Sequence, residues 1–396
     1  IASDCSASFL LGTSDYFEKV AEKLEDYPAL SSAAKIKVDT LSVDTAAYVA
    51  PELDSQSLAF LQYTSGSTSA PKGVMVTHGN LIHNIASMQS CFQHTHEDVT
   101  VSWLPMFHDM GLIGAVLQSI CIGAKSVCMS PATFLQRPIR WLEAISRYKG
   151  TTTYAPNFAY ELCVARATAE DINQLDLTSW TMALNGAEPI KPATLKTFQN
   201  TFADAGFTAN AVYPGYGLAE ATLFVSGSPR LSDVKYLDID VDSFEQKGLV
   251  TPVIPSQRCR QLVSSGMPSP YNEVIIVDPE TGAECEDERI GEIWVHGDSV
   301  AQGYWQNPKK TQETFCATVQ GQDASKHYMR TGDLGFLHQG HLFVSGRIKE
   351  VLIIRGANYY PQNIEDAVQT AIPGIKVSGG AAFTVEQDDQ EQLVLV

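Results

Sequence analysis

A chain of 396 residues, 44% hydrophobic and 18% charged, can bury a large core in two or three domains, and its ordinary composition excludes a disordered or fibrous protein. Its formal net charge of −18 repels nucleic acid and anionic membrane surfaces, so an anionic ligand must be met by a local cluster of donors. The eight cysteines form no C-x-x-C pair and no His/Cys set at metal spacing, which reads as reduced thiols in a cytoplasmic protein.

The first residues, IASDCSASFL, carry no basic n-region and no initiator Met, and read as the interior of a longer protein. From residue 58 the chain alternates between strand and helix patterns. LAFLQYT reads as a short buried strand and VMVTH as another, followed by a helix from Asn80 to Phe92. VTVSWLP is a strand, GLIGAVLQSI a helix and AKSVCMS a strand. The apolar window 111–129 contains Gln118, Ser119 and Lys125 and splits between those elements, so no integral membrane contact is expected. FLQRPIRWLEAISRYKG is an amphipathic helix stopped by Gly150. TTTYAPN, SWTMALNG and ANAVYPGYG follow as strands separated by helices. This alternation predicts an α/β fold with a mostly parallel, helix-covered sheet over 1–227.

The pattern changes at about 228. A polar, Pro-containing stretch to roughly 262 reads as a surface insertion. NEVIIVDPETG and GEIWVHG are strands with turn residues after each, which defines a β-rich subdomain of the large domain over 228–346. After Arg347 come a strand (VLIIRG), a helix with Pro in its first turn (PQNIEDAVQTA) and a hairpin-like pair (AAFTVEQDDQEQLVLV). They read as the start of a small α+β C-terminal domain over 347–396, stopping in mid-strand. The chain is therefore expected to be truncated at both ends.

Thr64, Ser65, Gly66, Ser67, Thr68 and Ser69 concentrate hydroxyls and a flexible glycine ahead of Pro71 and Lys72. Such a run offers backbone and side-chain donors to phosphate oxygens, and the lysine adds a point charge. It is not a Walker A loop, because Pro71 precedes the lysine and Gly73 follows it. A plain linker is the alternative, and the density of donors ending on a cation favours an anion site. Elsewhere the residues leave the choice open. YGLAEAT sets Tyr216 four residues before Glu220, which suits a ligand site or equally a core tyrosine with a helix-start glutamate. NGAEP, Asn185 onward, could be a simple turn. His108 beside Asp109, and Asp333 with Arg347, could be structural pairs, and Lys349 a turn lysine.

Taken in order, YTSGSTSAPKGV, NGAEPI, YGLAEAT, GEIWV with GYW, RTGDLGF and GRIKEVLIIRGANYYPQNIE resemble the motifs of the adenylate-forming superfamily, which includes acyl-CoA synthetases, firefly luciferase and peptide-synthetase adenylation domains. The resemblance covers nearly the whole chain. WLPMFHDMGLIG, YGLAEAT and the insertion after it resemble a fatty acyl-AMP ligase. The resemblance implies ATP and Mg²⁺ as cofactors and a long-chain fatty acid as substrate. The activated acyl group would pass to an acyl carrier protein or to a carrier domain of a polyketide or peptide synthetase, with no nucleic acid partner.

By resemblance, Lys72, His108 and Glu220 are the catalytic candidates. Thr64 to Thr68 and Lys72 would hold the β- and γ-phosphates. Asn185, Gly186 and Ala187 would line the adenine, and Tyr216 would stack on it, with Gly217, Leu218 and Ala219 beside it. Glu220 would hold Mg²⁺, Asp333 the ribose hydroxyls, and Arg347 the ribose or a phosphate. His108 would gate the fatty carboxylate, and Lys349 would be the hinge of an interdomain rotation. Many family members carry Thr where this chain has Ala219, and Thr222 is a candidate replacement. The family's C-terminal lysine would fall beyond Val396, so weak adenylation at best is expected of this stretch alone. A long-chain acyl-CoA synthetase is the alternative, separated by the insertion, which would hinder the rotation that thiolation by CoA needs. A non-catalytic nucleotide-binding module is the alternative of another class.

Overall fold

A computed structural model describes residues 1–42, 48–64, 71–255, 259–354, 357–372, 379–387 and 390–396. The two strands that flank the small-residue run, β1 (Leu58–Thr64) and β2 (Lys72–Thr77), pair antiparallel with Thr64 opposite Lys72. They form their own two-stranded sheet, and most of β1 is half-buried, where its apolar run suggests full burial. Helix α1 (His78–Phe92) starts two residues earlier than its pattern indicates, because Thr77 and Asn80 make a reciprocal capping box. Buried amides then fasten α1 to distant chain. Asn80 Nδ2 donates to the carbonyls of Asp298 (2.8 Å) and Val300 (2.9 Å). Asn84 Nδ2 donates to those of Ala221 and Phe224.

The expected parallel sheet is present. Strands β3 (Val99–Ser102), β4 (Lys125–Cys128), β5 (Thr152–Ala155), β6 (Met182–Asn185) and β7 (Val212–Pro214) lie in the order β4-β3-β5-β6-β7, every pair parallel. Strands β5, β6 and β7 are buried at every position, as a sheet covered on both faces requires. Helices α2 (Ile139–Tyr148), α3 (Asn157–Arg166) and α4 (Pro192–Phe202) connect the strands, and Trp141, Tyr160, Trp180 and Phe198 pack edge-to-face between them. In open sheets of this kind, ligands bind at the carboxyl ends of the strands. Met110–Leu117, expected as an ordinary helix after β3, is a π-helix. A side chain on Gly111 would meet the Pro105 carbonyl at 2.3 Å, so only glycine lets this turn close on the preceding loop.

The insertion is more regular than its sequence suggests. Strands β8 (Tyr236–Asp240) and β9 (Cys259–Val263) pair antiparallel, with helix α5 (Val241–Lys247) between them. Strands β10 (Glu273–Val277), β11 (Gly291–His296), β12 (Met329–His338) and β13 (His341–Arg347) form a four-stranded antiparallel sheet, with α6 (Pro308–Phe315) before β12. Beyond Arg347 are the pair Leu352–Ile354 and Ala357–Tyr359, helix α7 (Pro361–Ala371) and the pair Ala382–Gln387 and Gln390–Leu395.

Candidate active site

A cavity of about 870 Å³ opens where β2, the carboxyl ends of β5 to β7, and the β12–β13 sheet converge. Thr64 and Lys72 enter its wall from β1 and β2. Burial pulls the Lys72 ammonium down and Glu220 pulls it back up, while Lys310 and Lys349 push it down further. These neighbours put an acid and two further cations close to Lys72. Ser65, Gly66, Ser67 and Thr68 lie outside the described residues.

Gly186 and Ala187 line the cavity just past the end of β6, and Ala187 has φ 65°. Asn185 does not reach the wall. It is fully buried, its Nδ2 donates to Asn157 Oδ1, and its carbonyl accepts from the Gly215 amide at 3.0 Å, so it supports the wall from behind. Glu188, also in NGAEP, accepts from the Phe158 amide, and burial raises its carboxyl.

Tyr216, Gly217, Leu218, Ala219 and Glu220 follow β7 along one side. A side chain at Gly217 would meet the Leu223 carbonyl at 1.8 Å, which no rotamer relieves. Thr222, the candidate replacement for the missing threonine, is fully buried at φ 68°, and its hydroxyl donates to the Ser299 carbonyl at 2.6 Å. It faces away from the cavity, so it does not replace the hydroxyl absent at Ala219.

Opposite Tyr216 stands Asp333. Tyr216 Oη donates to its Oδ2 at 2.7 Å, and Arg347 Nε lies 3.2 Å from its Oδ1. Burial raises the Asp333 carboxyl, and the Arg347 cation and the tyrosine hydroxyl partly offset that rise. Each carboxylate oxygen keeps a lone pair for a further donor, such as a sugar hydroxyl. The stretch of β12 bearing Asp333 is itself held. Gly332, at φ +74°, donates its amide to Glu292 Oε1 at 3.0 Å, and the other oxygen of this buried carboxylate takes Arg330 and the Trp294 indole.

His108 and Asp109 lie on the loop before the π-helix. His108 Nδ1 is 2.6 Å from Asp109 Oδ1, and this bond raises the imidazole above its ordinary value against the effect of burial. Gln62 Nε2 fixes the same loop through the Phe107 carbonyl at 2.7 Å. Past His108 the wall turns apolar, with Met88, Phe92, Met110, Tyr154 and Phe224. The site therefore has two ends. One carries Lys72, Lys310, Lys349, Arg330 and Arg347 among carboxylates, and the other is hydrocarbon and aromatic. The residue motifs alone did not single out Tyr304, Glu292 or Lys310. Tyr304 and Glu292 stand inside GYW and GEIWV, so the signal was present without a role.

A family model described as AMP-binding enzyme matches residues 1–305. The medium-chain fatty-acid–acyl-carrier-protein ligase JamA of Moorena producens is 43% identical over all of this chain, which spans 67% of that relative. The long-chain-fatty-acid–AMP ligase FadD32 of Mycobacterium marinum is 36% identical over all of this chain, which spans 65% of it. A crystal structure of a fatty acyl-adenylate ligase from Legionella pneumophila, in complex with acyl adenylate and pyrophosphate, is 39% identical. It superposes with a TM-score of 0.84 over 100% of this chain and 68% of its own. The chain belongs to the AMP-binding enzymes, the adenylate-forming proteins whose motifs it carries in order, and fatty acyl-AMP ligases are among its relatives.

Proposed function

We propose that the protein activates a fatty acid with ATP and delivers the acyl group to the phosphopantetheine arm of an acyl carrier protein. The observation that carries this reading is the presence of cationic and apolar walls in one cavity, with His108 on the wall beside Met110. A fatty carboxylate lying along the apolar wall would present its oxygen to the α-phosphorus of a nucleotide at the other end. The new bond is carboxyl oxygen to α-phosphorus. The bond that breaks joins that phosphorus to the bridging oxygen, and pyrophosphate leaves with the electron pair. The substrate supplies the nucleophile, so the chain's work is to position and to stabilise charge.

In this reading Lys72 neutralises the departing phosphates, with Thr64 opposite it on the paired strand. Asp333 accepts from the ribose hydroxyls, and Tyr216 stacks on the base. His108, whose cationic form the Asp109 bond favours, steers the fatty carboxylate. Among the described residues no group of three His, Cys, Asp or Glu side chains could hold a metal alone. Glu220, a single carboxylate on the cavity wall, suits Mg²⁺, which keeps waters and takes its other ligands from phosphates. Bound there, Mg²⁺ would supply charge neutralisation on the phosphate oxygens.

The insertion favours a carrier over coenzyme A. Phe244 of α5 packs against Tyr360, ring centroids 5.8 Å apart, and against Phe336, and Arg260 lies over its face. Tyr360 follows the proposed hinge Lys349 and is 3% exposed, so rotation about the hinge would have to pull it out of this cluster. No helix among the described residues is long and apolar enough to cross a membrane. The test gives full-length protein ATP, a fatty acid, and either CoA or a phosphopantetheinylated carrier. Acyl-carrier is the expected product. Acyl-CoA formed at a comparable rate would support the synthetase alternative, and nucleotide binding without pyrophosphate release would support the non-catalytic one.

A further inference from the structure

The segment 299–305 joins the two parts of the site on which phosphate chemistry depends. Gly303, Tyr304 and Trp305 run antiparallel to β2. The Met75 amide donates to the Gly303 carbonyl at 2.9 Å, and the Trp305 amide donates to Gly73 at 2.8 Å, which sets Tyr304 opposite Val74. This places the Tyr304 ring beside the strand that begins with Lys72. The Lys72 ammonium sits over the ring, 4.9 Å from its centroid, and Phe315 of α6 closes the ring's edge at 5.2 Å. The same segment holds the Glu220 loop, since the Ala301 amide donates to the Glu220 carbonyl at 2.9 Å and Thr222 to that of Ser299.

The side chains complete the link. Tyr304 Oη donates to Glu220 Oε1 at 2.7 Å, from a residue 4% exposed. A carboxylate on a wall has two oxygens and free rotation about its last bond. Fixing one oxygen removes that freedom and leaves the other as the ligand.

We propose that Tyr304 is a positioning residue that selects the free oxygen of Glu220 for a phosphate-bound divalent cation and seats Lys72 against the same phosphates. The proposal rests on the metal-binding reading of Glu220. It assigns to one buried side chain the relative placement of the lysine and the carboxylate, 148 residues apart in sequence (Lys72 to Glu220).

The experiment measures Mn²⁺ affinity by electron paramagnetic resonance. It uses full-length protein saturated with α,β-methylene-ATP, which binds without turning over. Tyr304→Phe removes one oxygen and keeps the ring under Lys72. Glu220 borders the cavity, so water can take the vacated place and the fold should persist, as an unchanged melting temperature would verify. The expected result is Mn²⁺ binding weakened about tenfold or more, the usual worth of a hydrogen bond to a charged group. Affinity for the analogue without metal should stay within about twofold of wild type. Tyr304→Leu, which also strips the ring from Lys72, should weaken metal-free nucleotide binding as well. In the Tyr304→Phe/Glu220→Gln double variant the loss should match Glu220→Gln alone. Wild-type Mn²⁺ affinity in Tyr304→Phe, with Glu220→Gln impaired, overturns the proposal while leaving Glu220 as ligand. Fully additive losses overturn it too. Unchanged Mn²⁺ affinity in Glu220→Gln overturns the metal reading itself, and the proposal with it.

Discussion

Single residues in this site act through charge and through the closeness of backbone to backbone. Lys72 is the only cation contributed by the strand pair that brackets the small-residue run, so Lys72→Ala should lower kcat/KM for ATP roughly 10²–10³-fold without changing fatty-acid binding, measured by pyrophosphate exchange and lipid titration. A change in lipid binding alone would move the phosphate site elsewhere. Gly217 is a different kind of requirement. With a Cβ 1.8 Å from the Leu223 carbonyl, Gly217→Ala must shift the backbone between Tyr216 and Glu220. A loss of nucleotide affinity and about 1–3 kcal/mol of stability is expected, by binding titration and denaturant midpoint. His108 gives a pH signature. The Asp109 bond raises its pKa, so the cation persists above the ordinary imidazole range and is lost as pH climbs through the raised value. If the cation steers the carboxylate, the alkaline limb of the fatty-acid kcat/KM profile should move to lower pH in Asp109→Asn. A profile that does not move would remove His108 from that role.

At the scale of elements, the motifs were legible because their residues are neighbours in the chain. Tyr216 and Glu220 lie four residues apart, Asp333 sits within β12, and Lys72 opens β2, so spacing alone keeps each set together. The parallel sheet was legible for a similar reason, because alternating strand and helix leave few ways to bury apolar faces. What spacing did not carry was register between distant segments. Nothing local to Tyr304 says that its hydroxyl meets Glu220, and nothing local to Glu292 says that it holds the amide of Gly332. Asn185 belongs to a motif yet turns inward to Asn157, and Thr222 turns to Ser299, because each is decided by the element packed behind it. The π-helix escaped for another reason. Its apolar run fits α and π winding equally, and the choice is made where Gly111 closes on Pro105. The insertion's polar composition likewise hid a hairpin whose few apolar residues, Ile239, Phe244 and Leu262, all point into one small core with Phe336, Phe343 and Tyr360.

For the whole molecule, a buried polar knot ties the parallel sheet to the start of the insertion. Arg230 reaches Asp98 at 2.8 Å, and Asp98 also accepts from Thr151 and from the Thr95 amide. His94 is buried close by, bonded to Thr152, and burial depresses it from the ordinary 6.5 to about 4. The unfolded chain takes up this proton at a higher pH than the folded one. Stability is therefore fully present above about 6.5 and falls as pH drops toward about 4, by about 3 kcal/mol over that window. His94→Gln should flatten that part of the stability curve in urea titrations at pH 4 to 7. An equally steep curve would mean that another group titrates there.

The two-ended cavity makes one claim above the rest, that a fatty carboxylate oxygen becomes bonded to the α-phosphorus of ATP. It is tested by giving the full-length protein ATP, a phosphopantetheinylated carrier and a fatty acid labelled with ¹⁸O in its carboxylate, then reading the nucleotide product by mass spectrometry. The account predicts AMP carrying one ¹⁸O for each acyl group transferred. ADP, or AMP without the label, would contradict it.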